Sequence, residues 1–208
     1  MLQIVSNRTV FVVCSVAVLF LAWLGLGTQH LHAQTRTIIN TGFEDPDVIA
    51  TDGSDVIGNG STCWGGYDEG DVQFWETTAS DDLIEIGRQC AFGVPAHNGT
   101  QMAELNANQA SNLFFEFCMF DGETVNWSLF HRGRSGVDSM LVEIIEPNGN
   151  VIEAARVGTD NTFWRNVTGS YTNSTGMAGT VTFSLEAIST ATGNLTVGNL
   201  IDDVTVNG

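Results

Sequence analysis

From Arg36 to the end the chain alternates apolar and polar residues with a period of two, in short runs punctuated by Gly, Asn, Asp and Thr. No segment keeps an apolar period near 3.6 for three turns, so the pattern admits strands and excludes a helical core. Strands are predicted near Thr37–Asn40, Val72–Thr77, Asp82–Arg88, Gln101–Asn106, Leu113–Phe120, Thr124–Arg132, Ser139–Glu146, Val151–Val157, Asn166–Tyr171, Thr180–Ala187 and Val197–Val206. Glu146-Pro-Asn-Gly-Asn150 joins two alternating runs and reads as a hairpin with Asn-Gly at its tip, the residues that tolerate positive φ. That many strands in one domain predicts an all-β, two-sheet β-sandwich, with jelly roll the favoured topology.

Ahead of these strands stands a polar start with Arg8, an apolar run from Val10 to Leu26, and Leu31-His-Ala33 before Gln34. This reads as a cleaved secretory signal over residues 1–33, with a single β-sandwich domain over 34–208. The rival reading is a retained anchor, but the run is barely long enough for a bilayer, which needs about 20 apolar residues. The leader carries Arg8 and no acid. The remainder therefore sets six arginines, and no lysine, against 24 acidic residues. Such a surface repels nucleic acid and anionic membranes and suits a neutral sugar or a divalent cation. The expected location is secreted or at the cell surface, without membrane insertion after cleavage.

Two short end motifs carry a further reading. Asn199-Leu-Ile-Asp-Asp-Val-Thr-Val206 places adjacent carboxylates in a strand, and an unpaired inward carboxylate is costly unless a cation meets it. If the first and last strands lie side by side, Glu44 of Asn40-Thr-Gly-Phe-Glu44 can meet Asp202 or Asp203 at one Ca2+. The plainer alternative leaves both aspartates solvated at a sheet edge. These two motifs resemble the terminal signatures of jelly-roll carbohydrate-binding modules of the galactose-binding-like superfamily, the xylan- and β-glucan-binding type. The resemblance implies a structural calcium held by Glu44 and Asp202, joined by Asn98 or the carbonyl of Gln101 from Pro95-Ala-His-Asn-Gly-Thr-Gln101. It also implies a polysaccharide or other glycan as partner.

Three cysteines follow the leader. An oxidising exterior makes one disulfide the simplest arrangement, with Cys63 and Cys90 in loop-like sequence and Cys118 reading as a buried strand thiol, although pairs with Cys118 stay open. Between Glu44 and Asp71 runs a long acidic, glycine-rich loop with no EF-hand spacing.

For a sugar site, alternation sets Met102, Glu104 and Asn106 on one strand face and Ala103, Leu105 and Ala107 on the other, toward the core. Arg132 ends the strand predicted over Thr124–Arg132, and Arg134 lies two residues beyond it. They either pair with Glu104 or Glu85 or form the polar part of a sugar groove, since guanidinium and carboxylate groups grip adjacent hydroxyls. The C–H face of a pyranose packs on an aromatic ring, and Trp64 and Tyr67 are chosen for that role because they sit in the long loop; Trp75 and Trp127 read as core. The ligand-binding set is thus Trp64, Tyr67, Glu104, Asn106, Arg132 and Arg134. No nucleophile elbow, zinc pattern, phosphate loop or dinucleotide fingerprint occurs, so the chain is expected to be no enzyme. The alternative function is an extracellular structural or adhesive protein that uses the fold for protein contacts, and self-association stays open.

Overall fold

A computed structural model describes residues 36–48, 63–194 and 196–208. The segment expected to be a leader, residues 1–33, and residues 49–62 of the acidic loop lie outside the described residues. Twelve strands occur among those described: β1 (Thr37–Thr41), β2 (Trp64–Asp68), β3 (Glu76–Thr77), β4 (Leu83–Arg88), β5 (Gln101–Glu104), β6 (Asn112–Met119), β7 (Thr124–Arg132), β8 (Asp138–Ile145), β9 (Val151–Thr159), β10 (Arg165–Thr172), β11 (Gly179–Ser189) and β12 (Leu200–Asn207). One turn of helix, α1 (Gln89–Phe92), follows β4. No helix among the described residues is long and apolar enough to cross a membrane.

The strands form two antiparallel sheets. Seven lie in the order β10-β7-β12-β5-β4-β2 with β1 also on β12, and five in the order β3-β6-β11-β8-β9. Every alternating strand offers one apolar face, and the two faces meet. Phe183 of β11 lies 5.4 Å from Phe115 of β6 in its own sheet and 5.7 Å, ring centre to ring centre, from Trp127 of β7 across the interface. Trp75 is core as expected, stacked on Phe43 at 5.6 Å. The β8–β9 hairpin closes as its sequence predicts, with Gly149 at φ 86° and Glu146 N–H donating to the Asn150 carbonyl.

β12 organises the larger sheet. One edge pairs with β7; the other pairs with β1 over Val204–Asn207 and with β5 over Leu200–Ile201. The side-chain alternation changes phase midway, because Ile201, Val204 and Val206 all enter the core. A bulge at Asp202–Asp203 causes this: the register against β7 shifts between Asp202 and Thr205, and Asp203 takes φ 48°. One extra residue there re-aims the strand and brings two neighbouring carboxylates toward one place.

Four expectations are corrected. The loop containing Trp64 and Tyr67 is strand β2, whose glycine-rich sequence hid its alternation. The strand proposed over Val72–Thr77 is reduced to Glu76–Thr77, because a 3-10 turn at Glu69–Asp71 and a positive φ at Phe74 bend the chain before it. Cys118 is not buried: β6 turns Leu113, Phe115, Phe117 and Met119 inward and leaves Cys118 on the outer face. No described cysteine is a free thiol, so the odd thiol is also withdrawn.

Candidate functional site

The outer face of the seven-stranded sheet holds the polar constellation. Cross-strand register sets Gly66 of β2, Glu85 of β4 and Glu104 of β5 in one row, with Trp64 and Gly87 one step along. Gly87 is required there, because a Cβ would stand 2.6 Å from the ring of Phe92, which α1 lays on the sheet. Phe92, Val94, Met102 and Leu200 form a small second core under this cover. The Cys63–Cys90 disulfide joins the residue before β2 to α1, as expected, and so fixes the cover to the strand that carries Trp64.

On this base sits a cavity of about 540 Å3 walled by the disulfide, Trp64, Glu85 and Arg134. Arg134 spans it. Its Nη1 donates to Glu104 Oε2 at 2.7 Å, its Nη2 donates to the Ala91 carbonyl at 3.2 Å, and its guanidinium lies 4.9 Å from the Phe92 ring centre. Glu104 is buried and also accepts from Gly198 N–H. Burial and the neighbouring Glu85 push its carboxyl up to about 8, against the pull of Arg134 and Gly198. Burial pushes Glu85 up to about 7, with Arg134 pulling it down. Two carboxyls that cannot both ionise freely, one guanidinium and one half-buried indole make a surface able to donate and accept hydrogen bonds beside an aromatic face.

The structure does not bring the whole predicted set here. Trp64 and Tyr67 are three apart in a strand and so face opposite ways; Tyr67 is 2% exposed in the main core and offers no ring to a ligand. Asn106 is 1% exposed and accepts from Asn199 Nδ2 at 2.9 Å inside a buried polar network. Both are withdrawn as ligand contacts. Arg132 is spent differently: its Nε and Nη2 donate to the Asn161 carbonyl, and it lies 5.9 Å from the Trp164 ring. Glu85, named only as a pairing partner from sequence, joins the site because the β4–β5 register places it opposite Glu104.

The end motifs meet at the β12 bulge. Asp202 is fully buried; its Oδ2 accepts from His97 N–H at 2.9 Å and Asn98 N–H at 3.2 Å, and its Oδ1 from Asp203 N–H at 2.7 Å. Glu44 Oε1 accepts from Thr100 and Gln101 N–H, both at 2.9 Å, and Oε2 from the Thr100 hydroxyl. Gly99 must be glycine here, since it has φ 63° and a Cβ would fall on the Glu44 carboxylate. The Gln101 side chain points elsewhere, donating to the carbonyls of Phe43 and Pro46 and accepting from Val48 N–H.

Glu44, Asn98, Gln101 and Asp202 are thus gathered at one junction. His97 pairs with Asp203 and stacks on Phe130 with ring centres 3.4 Å apart. Burial, with Asp203 nearby, pushes Asp202 up to about 7 while amide donors restrain it. A buried carboxyl beside a second one is a charge arrangement that a calcium ion would relieve, while the partners of the Asp202 and Glu44 oxygens are mainly amide N–H groups. Among the described residues no three His, Cys, Asp or Glu side chains form a metal cluster, so backbone carbonyls would have to complete the coordination.

This is the two-sheet jelly-roll fold found in carbohydrate-binding modules. The structure of the Clostridium thermocellum endo-1,4-β-D-xylanase 10B CBM22-1–GH10 modules, complexed with xylohexaose, matches with a TM-score of 0.51 at 15% identity, over 82% of this chain and 28% of that one. The CBM22-1 xylan-binding domain of Paenibacillus barcinonensis Xyn10C gives a TM-score of 0.47 at 11% identity, over 82% of this chain and 93% of that domain. TmCBM61, in complex with β-1,4-galactotriose, gives 0.44 at 15% identity, over 64% of this chain and 88% of that one. No protein-family profile and no curated protein sequence matches the chain.

Proposed function

We propose that this chain is a secreted, non-catalytic glycan-binding module stabilised by a structural calcium ion. The observation that carries the glycan reading is the Trp64 cavity: an indole on the wall of a cleft that Glu85 and Arg134 also line, with Glu104 buried behind Arg134 and paired to it. A pyranose stacked on Trp64 would place its edge hydroxyls near donors and acceptors of both kinds. The jelly-roll likeness supports the same class of ligand. Titration calorimetry with xylohexaose and with β-1,4-galacto-oligosaccharides tests it. Binding of either is expected, weakened about tenfold by Trp64→Ala; no heat with any oligosaccharide, or full affinity in the variant, overturns the Trp64 site.

The calcium would be held by the carboxylates of Glu44 and Asp202, with carbonyls of the 95–101 segment. Its role is mechanical, tying the end of β1 and the start of β5 to the β12 bulge. Calcium at a hundredfold over its dissociation constant should stabilise the fold by about 2.7 kcal/mol. A thermal melt in calcium and in chelator should show that gain, and Asp202→Asn should lose it. Equal melting in both solutions would remove the metal from this account.

A further inference from the structure

Asp138 is the first residue of β8, a strand of the five-stranded sheet, and it is 1% exposed. Its carboxylate is taken up by three backbone N–H groups. Oδ2 accepts from Arg134 at 2.7 Å and from Asn199 at 3.1 Å, and Oδ1 accepts from Ala191 at 2.7 Å. None of these donors belongs to a strand: Arg134 lies in the turn between β7 and β8, and Ala191 and Asn199 stand near the two ends of the loop between β11 and β12. Bonds from amides to an ionised carboxylate are roughly twice as strong as those between neutral groups. One buried side chain therefore ties two loops together where no sheet ladder can do so.

Both loops wall the Trp64 cleft, the first through Arg134 and the second through Thr196 and Val197. Glu104 grips the same two segments from the other side, accepting from the Arg134 guanidinium and from Gly198 N–H. Asn199, next to Gly198, is locked in turn, since its side chain donates to Asn106 Oδ1 and to the Ser189 carbonyl and accepts from His131. Arg134 is thus fixed at two points, its head by Glu104 and its backbone by Asp138. A binding group carried on a loop keeps its geometry only when buried neighbours hold it there.

We propose that Asp138 is a positioning residue of the Trp64 cleft, holding the Arg134 guanidinium over the Phe92 ring and keeping the Thr196–Val197 wall beside it. Asp138 does not itself line the cavity, so its effect on a ligand passes through Arg134 and the β11–β12 loop. A cleft held ready in this way spends less of its binding energy on ordering its own side chains. The proposal rests on the glycan reading of the cleft and is independent of the calcium reading.

The test follows Arg134 by NMR through the ring current of Phe92, whose centre lies 4.9 Å from the guanidinium carbon, with the signals assigned through Arg134→Ala. Asp138→Asn should move the Arg134 side-chain protons toward their random-coil shifts. It should also weaken xylohexaose or β-1,4-galacto-oligosaccharide, whichever the unsubstituted protein binds, about three- to tenfold in titration calorimetry, the worth of one hydrogen bond. Val142→Ala, which opens a cavity in the core from the same strand, should destabilise the fold and change neither readout. Added to Arg134→Ala, Asp138→Asn should cost less affinity than it does alone, because the group it positions is gone. The NMR readout needs no ligand, so a protein that binds no oligosaccharide loses the glycan reading while the Arg134 signals still decide the positioning role. Unmoved Arg134 signals in Asp138→Asn, the same displacement in Val142→Ala, or full affinity where the signals have moved would overturn the proposal. Amide exchange in the unsubstituted protein covers a variant that does not fold: the Arg134, Ala191 and Asn199 amides lie outside the strands and should exchange slowly through Asp138, and fast exchange at Arg134 would overturn the proposal as well.

Discussion

Arg134 and Glu104 show how one residue pair can serve both the fold and the site. Glu104 is fully buried as a side chain whereas Arg134 keeps 22% of its side chain exposed, so the arginine brings solvent-connected charge to a carboxyl that has none. Truncating one member of such a pair costs more than replacing both, because the survivor is left desolvated. Arg134→Met should therefore destabilise by about 2–3 kcal/mol at pH 9, where Glu104 is forced to ionise beside Glu85. At pH 6 Glu104 can take up a proton and the cost should shrink to about 1 kcal/mol. Adding Glu104→Gln should recover most of the loss at pH 9. Urea denaturation at the two pH values measures this, and a cost independent of pH would show that Arg134 acts through packing on Phe92 alone.

The disulfide belongs to the scale of elements, because it ties α1 and its apolar cover to the start of β2. Cys63 and Cys90 are 27 residues apart, and opening a loop of that size should cost about 3–4 kcal/mol on the chain-entropy account. Cys63→Ser with Cys90→Ser, followed by urea denaturation, should show that loss; a change under about 1 kcal/mol would mean that the cover is held by Phe92, Val94, Met102 and Leu200 alone. Elements of this kind were unevenly legible in sequence. β7 was bounded correctly because its apolar alternation is unbroken, whereas β2 reads Trp-Gly-Gly-Tyr-Asp and shows no period until its partner β4 is known. The end motifs announced that β1 and β12 are neighbours, but not the bulge, since a one-residue slip in phase appears only when Val204 and Val206 are found inside. Phe74 was hidden for a related reason: Phe74-Trp75 in a strand must put one ring outward, yet which ring, and on what backbone, depends on the turn before it. Arg134 with Glu104 was foreseeable from charge scarcity, and Glu85 opposite Glu104 required the register.

At the scale of the whole molecule, buried ionisable groups of opposite tendency should give stability a maximum in acid solution, well below neutrality. Glu85 and Glu104 have carboxyls raised to about 7 and about 8 by burial, with Arg134 opposing in both cases. A raised carboxyl favours the folded state while protonated, so its contribution is full below the unfolded value near 4.5 and is lost as pH rises through 7 to 8. His131 tends the other way. It is fully buried between Thr159 Oγ1 at 3.0 Å and Asn199 Oδ1 at 3.1 Å, and burial lowers it to about 4 against the pull of Asn199 and Asp138. The neutral ring is thus favoured in the fold, and stability is lost as pH falls from 6.5 through 4. Two raised carboxyls outweigh one lowered imidazole between pH 4.5 and 6.5, so stability should peak near about pH 4 and fall by about 5 kcal/mol by pH 8.5, with the His131 slope offsetting part of the fall below pH 6.5. The large excess of acid does not itself produce the alkaline fall, because carboxylates that titrate normally are already ionised throughout that window. Urea denaturation from pH 4 to 9 in saturating calcium, repeated for Glu85→Gln with Glu104→Gln, separates the causes. The double variant should lose the alkaline fall and show stability rising from pH 4 to 6.5, the His131 slope alone; an alkaline fall that survives it would locate the effect in other groups, and a flat profile in the unsubstituted protein would mean that Glu85 and Glu104 stay ionised in the fold.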